Sequence, residues 1–177
     1  STGYWGAENA DAGLYRPVVI ATYAFDHALW GYRPACFHAV NIALHVVVSL
    51  LAYALLLALL KRRAAAAVGA FIFAVHPVRV EAVSGIVGRA EILSAGFTLV
   101  ALLFHFGYIE SGGRRRLIGA SVAYLLALLT KESAIVLPLL AVAIEASARA
   151  APRAASGPPA RRLAWPVYAG YGVALLA

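Results

Sequence analysis

The stretch FHAVNIALHVVVSLLAYALLLALLKRR, residues 37–63, decides the fold class. From Phe37 to Leu60 it holds no Asp, Glu, Lys or Arg. As a helix this run rises about 36 Å, enough to cross a hydrocarbon core of ~30 Å. Lys61-Arg62-Arg63 then stops it, and a basic cluster after an apolar run marks the cytoplasmic side of a membrane span. The start of the span is therefore expected to face outward.

The neighbouring segments repeat this alternation. Ala64–Val75 is a second apolar run and ends at His76-Pro77, where Pro disfavours continuation of the helix. After Val78–Glu81 the chain is expected to descend as one helix from about Ala82 to Ile109, with Glu110 and Arg114-Arg115-Arg116 on the cytoplasmic side. Two apolar runs follow, Leu117–Leu129 and Ser133–Glu145, separated by Thr130-Lys131-Glu132. Arg114–Arg116 and Arg149–Arg162 lie on one side only if the chain crosses an even number of times between them. A hairpin with Lys131-Glu132 at its outer tip satisfies this, the tip sunk because each arm is shorter than a full span. Upstream, Arg16-Pro17 and Gly31 bracket a stretch crowded with Tyr15, Tyr23, Phe25, Trp30 and Tyr32, which reads as a short helix at the membrane–water boundary.

The fold class expected is all-α, a polytopic membrane helical bundle of about six membrane segments. Residues 1–32 form an outer loop and interfacial helix, 33–149 the bundle, 150–162 a Pro-rich cytoplasmic linker, and 163–177 the start of a further helix. Ser1 and the apolar run that ends at Ala177 give the expectation of a piece of a longer protein, cut at both ends.

Composition agrees: 63% of residues are hydrophobic and the mean hydropathy is +0.81, above the usual apolar share of a soluble domain. The net charge of +7 and isoelectric point near 9.9 raise the question of nucleic acid. The basic clusters alternate with apolar segments instead of forming one stripe, so no nucleic-acid partner is expected. Cys36 is alone, which excludes an intrachain disulfide and a cysteine metal site. No His pair has zinc spacing beside a carboxylate, so no metal is expected.

Five cations stand apart from the cytoplasmic clusters: Arg16, Arg33, Arg79, Arg89 and Lys131, with Asp26, Glu81, Glu91 and Glu132 nearby in sequence. All fall at the outer ends of the runs. Charges near hydrocarbon need a partner or a ligand, so an outer polar site for an anionic substrate is expected. His38, Asn41, His45 and Ser49 share one helical stripe, with His38 and Asn41 nearest the outer mouth. On the helix expected after His76, Glu81, Gly85 and Arg89 sit at i, i+4 and i+8, and Gly88 joins Glu81 and Glu91 on a broad face. The glycines there allow close approach of another backbone or a ligand. The candidate substrate-binding residues are Arg16, His38, Asn41, His76, Glu81, Arg89, Glu91, Lys131 and Glu132.

Five elements in order, Tyr15-Arg16-Pro17, Phe37-His38 with Asn41 and His45, His76-Pro77 with Glu81-Ala82-Val83, Val87-Gly88-Arg89-Ala90-Glu91-Ile92-Leu93, and Lys131-Glu132, resemble the transmembrane O-mannosyltransferases that carry C-terminal tetratricopeptide repeats, and their bacterial relatives. The resemblance covers most of residues 4–146. It implies a GT-C-type membrane glycosyltransferase that moves a sugar, mannose in the animal members, from a polyprenyl or dolichyl phosphate to an acceptor on the non-cytoplasmic face. In the animal members the acceptor is a protein Ser/Thr hydroxyl. The lipid-phosphate sugar is a donor substrate and no cofactor is implied. The location implied is the endoplasmic reticulum membrane in a eukaryote and the cytoplasmic membrane in a bacterium. The catalytic acid of such enzymes lies upstream of the Tyr-Trp-Gly region, here Tyr4-Trp5-Gly6, so it is expected before Ser1; Glu8 and Asp11 do not match it.

Independently of the resemblance, a phosphate-borne donor needs fixed cations at its leaving group, a role that Arg16, Arg89 and Lys131 would take, with His76 donating a hydrogen bond. Glu81, Glu91 and Glu132 would orient these cations or read sugar hydroxyls. Replacing Arg89 by Ala is expected to cripple transfer and leave the fold intact. A secondary transporter would also hold ionisable groups in a bundle, but toward the midplane with access from both faces, whereas these gather on one side. A structural anchor has no use for outward cations.

Overall fold

A computed structural model describes residues 16–85, 88–150 and 165–176, and every described element is helical. The readings placed on Tyr4-Trp5-Gly6, Glu8, Asp11, Val87 and residues 151–162, and on the Arg79 side chain, lie outside what is described. Proline and glycine set most boundaries. Helix α1 (Pro17–Trp30) has Pro17 in its first turn and closes on Gly31 at φ 61°, whose N–H reaches the His27 carbonyl. Helix α2 (Pro34–Leu60) starts on Pro34, three residues before the apolar run, and ends on Lys61 in the left-handed region. Helix α3 (Arg63–Val75) stops at His76, whose extended backbone precedes Pro77 at the start of α4 (Pro77–Ser84). The break expected at His76-Pro77 is present.

One expectation fails. The chain does not descend as a single helix from Ala82, because α4 ends at Ser84 and α5 (Arg89–Ser111) starts only after Gly88. Glu81, Gly85 and Arg89 therefore do not lie along one helical face. Glycine is a poor helix interior residue, and Gly85 caps α4 in extended geometry by donating to the Glu81 carbonyl. Gly88 packs so tightly on the Ala82 backbone that a side-chain Cβ there would overlap the Ala82 carbonyl.

Gly112 and Gly113, both at positive φ, turn the chain into α6 (Arg114–Leu128). After Thr130 and an extended Lys131, a 3-10 turn (Glu132–Val136) leads into α7 (Leu137–Ala150). Helix α8 (Trp165–Leu176) lies against α6. Helix α5 is the axis, packed along α6 and against α2 and α7, while α3 folds back on α2. The seam is rich in small residues: Ala101, Ala120, Ala123, Ala127 and Ala141 are buried, and Gly119 faces the Phe104 ring. Small side chains let helices approach closely where dispersion, not water exclusion, drives packing.

Helices α2 and α5 are each long and apolar enough to cross a membrane, and α3 is apolar but shorter. Outward surfaces are apolar too, with Val46, Val47 and Leu50 of α2, Phe71 and Ile72 of α3, and Leu139 of α7 exposed.

The tight Gly88–Ala82 approach makes a test. Gly88→Ala should destabilise the full-length protein by about 1–3 kcal/mol, the usual range for overpacking. Gly172→Ala, at a helical position with open space around it, should be neutral or stabilising by up to about 1 kcal/mol. Unfolding free energies of the two variants check this, and equal effects would contradict it.

Candidate functional site

Arg89, the first residue of α5, is fully buried. Its Nη1 forms an ion pair with Asp26 Oδ2 of α1 at 2.5 Å, without hydrogen-bond alignment, so that contact is Coulombic. Its Nε donates to Asn41 Oδ1 of α2 at 2.8 Å and its Nη2 to the Phe37 carbonyl at 3.3 Å. The guanidinium lies 4.5 Å from the Tyr23 ring centre, close enough for a cation–π attraction. Asn41, also fully buried, donates in turn to the Gly85 carbonyl at 3.2 Å. A buried charge is tolerated when paired and hydrogen-bonded, and both conditions hold. Arg89 and Asn41 thus differ from their expected placement. They have no exposed surface and knit α1, α2 and the α4–α5 junction together.

The remaining charges gather beside this knot. Arg16 Nη2 meets Glu132 Oε1 at 2.9 Å and Oε2 at 3.2 Å, and Lys131 is ion-paired with Glu91. Residues distant in sequence are thereby brought to one end of the bundle, hereafter the site end. Between α4, the Gly85–Gly88 break and the start of α5 opens a cavity of about 530 Å³, lined by Arg16, Glu81, Gly85, Gly88, Glu91 and their neighbours. Glu81, Gly88 and Glu91 do meet there, through the break and not along a helix. Of the acids at this end, Glu81 is the exposed one with no cation partner among the described residues.

His76 is exposed and caps α4, its Nδ1 accepting from the Val78 N–H at 3.3 Å. That contact fixes the neutral tautomer: Nδ1 is the acceptor, so Nε2 carries the proton and can donate. His38 is half-buried one turn before Asn41 on α2. Deeper on the same stripe, His45 Nε2 lies 3.0 Å from the Ala74 carbonyl, and Ser49 donates to the His45 carbonyl at 2.8 Å. His45 thus joins α2 to α3, whereas Ser49 bonds back within α2. Among the described residues no cluster of three metal-ligating side chains is found.

The Glu132 carboxyl is held below the ordinary glutamate range by its own backbone N–H and by the Arg16 guanidinium. A lowered folded-state value means the pair contributes above the ordinary glutamate range and is lost as the pH falls through the lowered value.

Sequence reasoning missed Asp26 as the partner of Arg89, since nothing local links positions so far apart. It also missed a second polar group in the other half of the bundle. His105 of α5 is fully buried, 3.9 Å from Glu145 of α7, while Tyr168 donates to Glu145 at 3.0 Å and Tyr171 lies 3.4 Å from His105. His105 follows Glu91 by the same number of residues as Glu145 follows Lys131. Two helices running the same way from the Lys131–Glu91 pair bring His105 and Glu145 level, a match that shows only once that pair is known.

Protein O-mannosyl-transferase TMTC1 of Homo sapiens is 42% identical over 113 residues, 62% of this chain and 13% of that protein. Protein O-mannosyl-transferase TMTC3 of Mus musculus is 36% identical over 113 residues, 62% of this chain and 12% of that protein. Tmtc3 of Drosophila melanogaster, named likewise, is 35% identical over 172 residues, 80% of this chain and 19% of that protein. The chain thus spans under a fifth of the length of these relatives. No family model matches, and no solved structure matches.

Two expectations follow from the site. Asp26→Ala or Arg89→Ala alone should cost about 3–5 kcal/mol of stability, because each strands a buried charge. The paired change Asp26→Leu with Arg89→Met should recover most of it, as unfolding of the full-length protein would report; single variants as stable as the parent would contradict the pairing. Carbon-13 NMR of the Glu132 carboxyl should show titration below the ordinary glutamate range, returning toward it in Arg16→Ala. A signal indifferent to Arg16 would exclude the contact.

Proposed function

Because this chain belongs to the transmembrane O-mannosyltransferase family, we propose that it forms part of an integral-membrane glycosyltransferase that moves a sugar from a polyprenyl- or dolichyl-phosphate donor to a protein hydroxyl. The observation that carries the reading is the convergence of Arg16 and Lys131 at one end of the bundle, beside a cavity of about 530 Å³. That volume is within the ~300–1,000 Å³ common for small-molecule sites.

In the transfer, the acceptor oxygen bonds to the sugar's anomeric carbon while the bond from that carbon to the phosphate oxygen breaks. The donor phosphodiester leaves as a phosphomonoester with more negative charge, and the acceptor proton goes to a base. Fixed cations help most where charge develops. Arg16 and Lys131 would grip the departing phosphate, each already aimed by a carboxylate, Glu132 and Glu91. Glu81, which lines the cavity, and the Nε2–H of His76 would read sugar hydroxyls. Arg89 and Asn41 act as positioning residues that fix the walls of the site.

The membrane reading rests on α2 and α5 and on the outward apolar side chains of α2, α3 and α7. We place about six membrane segments in this chain and the site end on the non-cytoplasmic face, opposite the basic clusters. The relatives lend no support to a secondary transporter.

In the full-length enzyme, Arg16→Ala and Lys131→Ala should each lower the transfer rate from a polyprenyl-phosphate sugar by about 10²-fold or more, the scale for losing one charge-stabilising donor. Lys131→Arg should retain much of the rate. Initial rates on folded, membrane-inserted protein decide it. Unchanged rates in both alanine variants would remove these residues from the donor site.

A further inference from the structure

Away from the site, the opposite end of the bundle presents a concentrated positive surface. Lys61 Nζ meets Glu110 Oε1 at 3.3 Å and lies 5.3 Å from the Phe106 ring centre, which draws the α2–α3 corner onto the end of α5. Arg116 Nη1 donates to the carbonyls of Gly107 at 3.1 Å and Gly112 at 3.3 Å, which draws the start of α6 to the same place. Lys61-Arg62-Arg63 and Arg114-Arg115-Arg116 therefore share one surface, six cations against the single carboxylate Glu110 among the described residues there. Lys61 and Arg116 are engaged in holding the corners. Arg62, Arg63, Arg114 and Arg115 are exposed and make no ion pair or side-chain hydrogen bond among the described residues. No acid in the first turn of α3 or α6 offsets them.

We propose that these four arginines form a docking surface for the phosphate headgroup of an anionic phospholipid, an inference that rests on the membrane reading above. The positive charges attract phosphate headgroups, and one feature favours a lipid over a soluble polyanion. The same helices border the patch with exposed apolar side chains, Leu60 of α2, Val68 of α3 and Ile118 of α6, so an amphiphile would meet cations at its head and hydrocarbon along its chains. With Lys61–Glu110 as the clamp, the two arginine pairs sit at the starts of α3 and α6 yet serve one headgroup layer.

The test uses the full-length protein in nanodiscs of phosphatidylcholine alone or mixed with phosphatidylglycerol, with lipid retention read by native mass spectrometry. The parent protein should retain phosphatidylglycerol preferentially. Replacing Arg62, Arg63, Arg114 and Arg115 by Gln should weaken that preference by about fivefold per arginine, and replacing all four by Lys should keep most of it. Should the quadruple Gln variant not insert, Arg62→Gln/Arg63→Gln and Arg114→Gln/Arg115→Gln made separately must each weaken it. An undiminished preference in the Gln variants, or equal competition by inorganic phosphate, would overturn the proposal. A protein that inserts into phosphatidylcholine discs but shows no preference sinks this inference alone. Failure to insert into any disc sinks the membrane reading beneath it.

Discussion

The buried ion pair between Arg89 and Asp26 holds the site end together. It joins the first helix to the start of the central one, and through Asn41 and the Phe37 carbonyl it adds the second. Desolvating a guanidinium is expensive, and only this density of partners makes it tolerable. The benefit is geometric. With α5 fixed at its first residue, Glu91 two residues later is presented to Lys131, and the adjacent Glu132 to Arg16. The exposed pairs contribute little stability themselves, yet their positions depend on the buried one.

That arrangement separates two kinds of charge that a sequence shows alike. Arg89 is a structural cation, enclosed and neutralised, whereas Arg16 and Lys131 remain partly accessible beside the cavity. A ligand phosphate can compete for a cation held by an exposed carboxylate, because water already screens that pair. It cannot reach one sealed under Tyr23, Phe37 and Asn41. The transfer defect expected of Arg89→Ala from sequence would therefore come with loss of fold.

Much of the fold was legible because its punctuation is local. Pro17, Gly31 and Pro77 mark helix ends through fixed φ, missing donors and positive φ, all properties of one residue. The gathering of Arg16, Glu91, Lys131 and Glu132 at one end was legible from the alternation of basic clusters and apolar runs. What escaped was non-local or too faint. The Asp26 partnership needs the tertiary fold, and the Gly85–Gly88 break was read through because the apolar pattern continues across it. His105 and Glu145 are single polar residues inside or at the edge of apolar runs, and only the packing of α5 on α7 makes them a pair.

A structure of the full-length protein with a bound polyprenyl-phosphate sugar would test the donor site most directly. The phosphate should lie within hydrogen-bond reach of both Arg16 and Lys131, with the Glu132 and Glu91 contacts loosened and the Arg89–Asp26 pair unchanged. A phosphate held elsewhere, with both exposed ion pairs intact, would contradict the account.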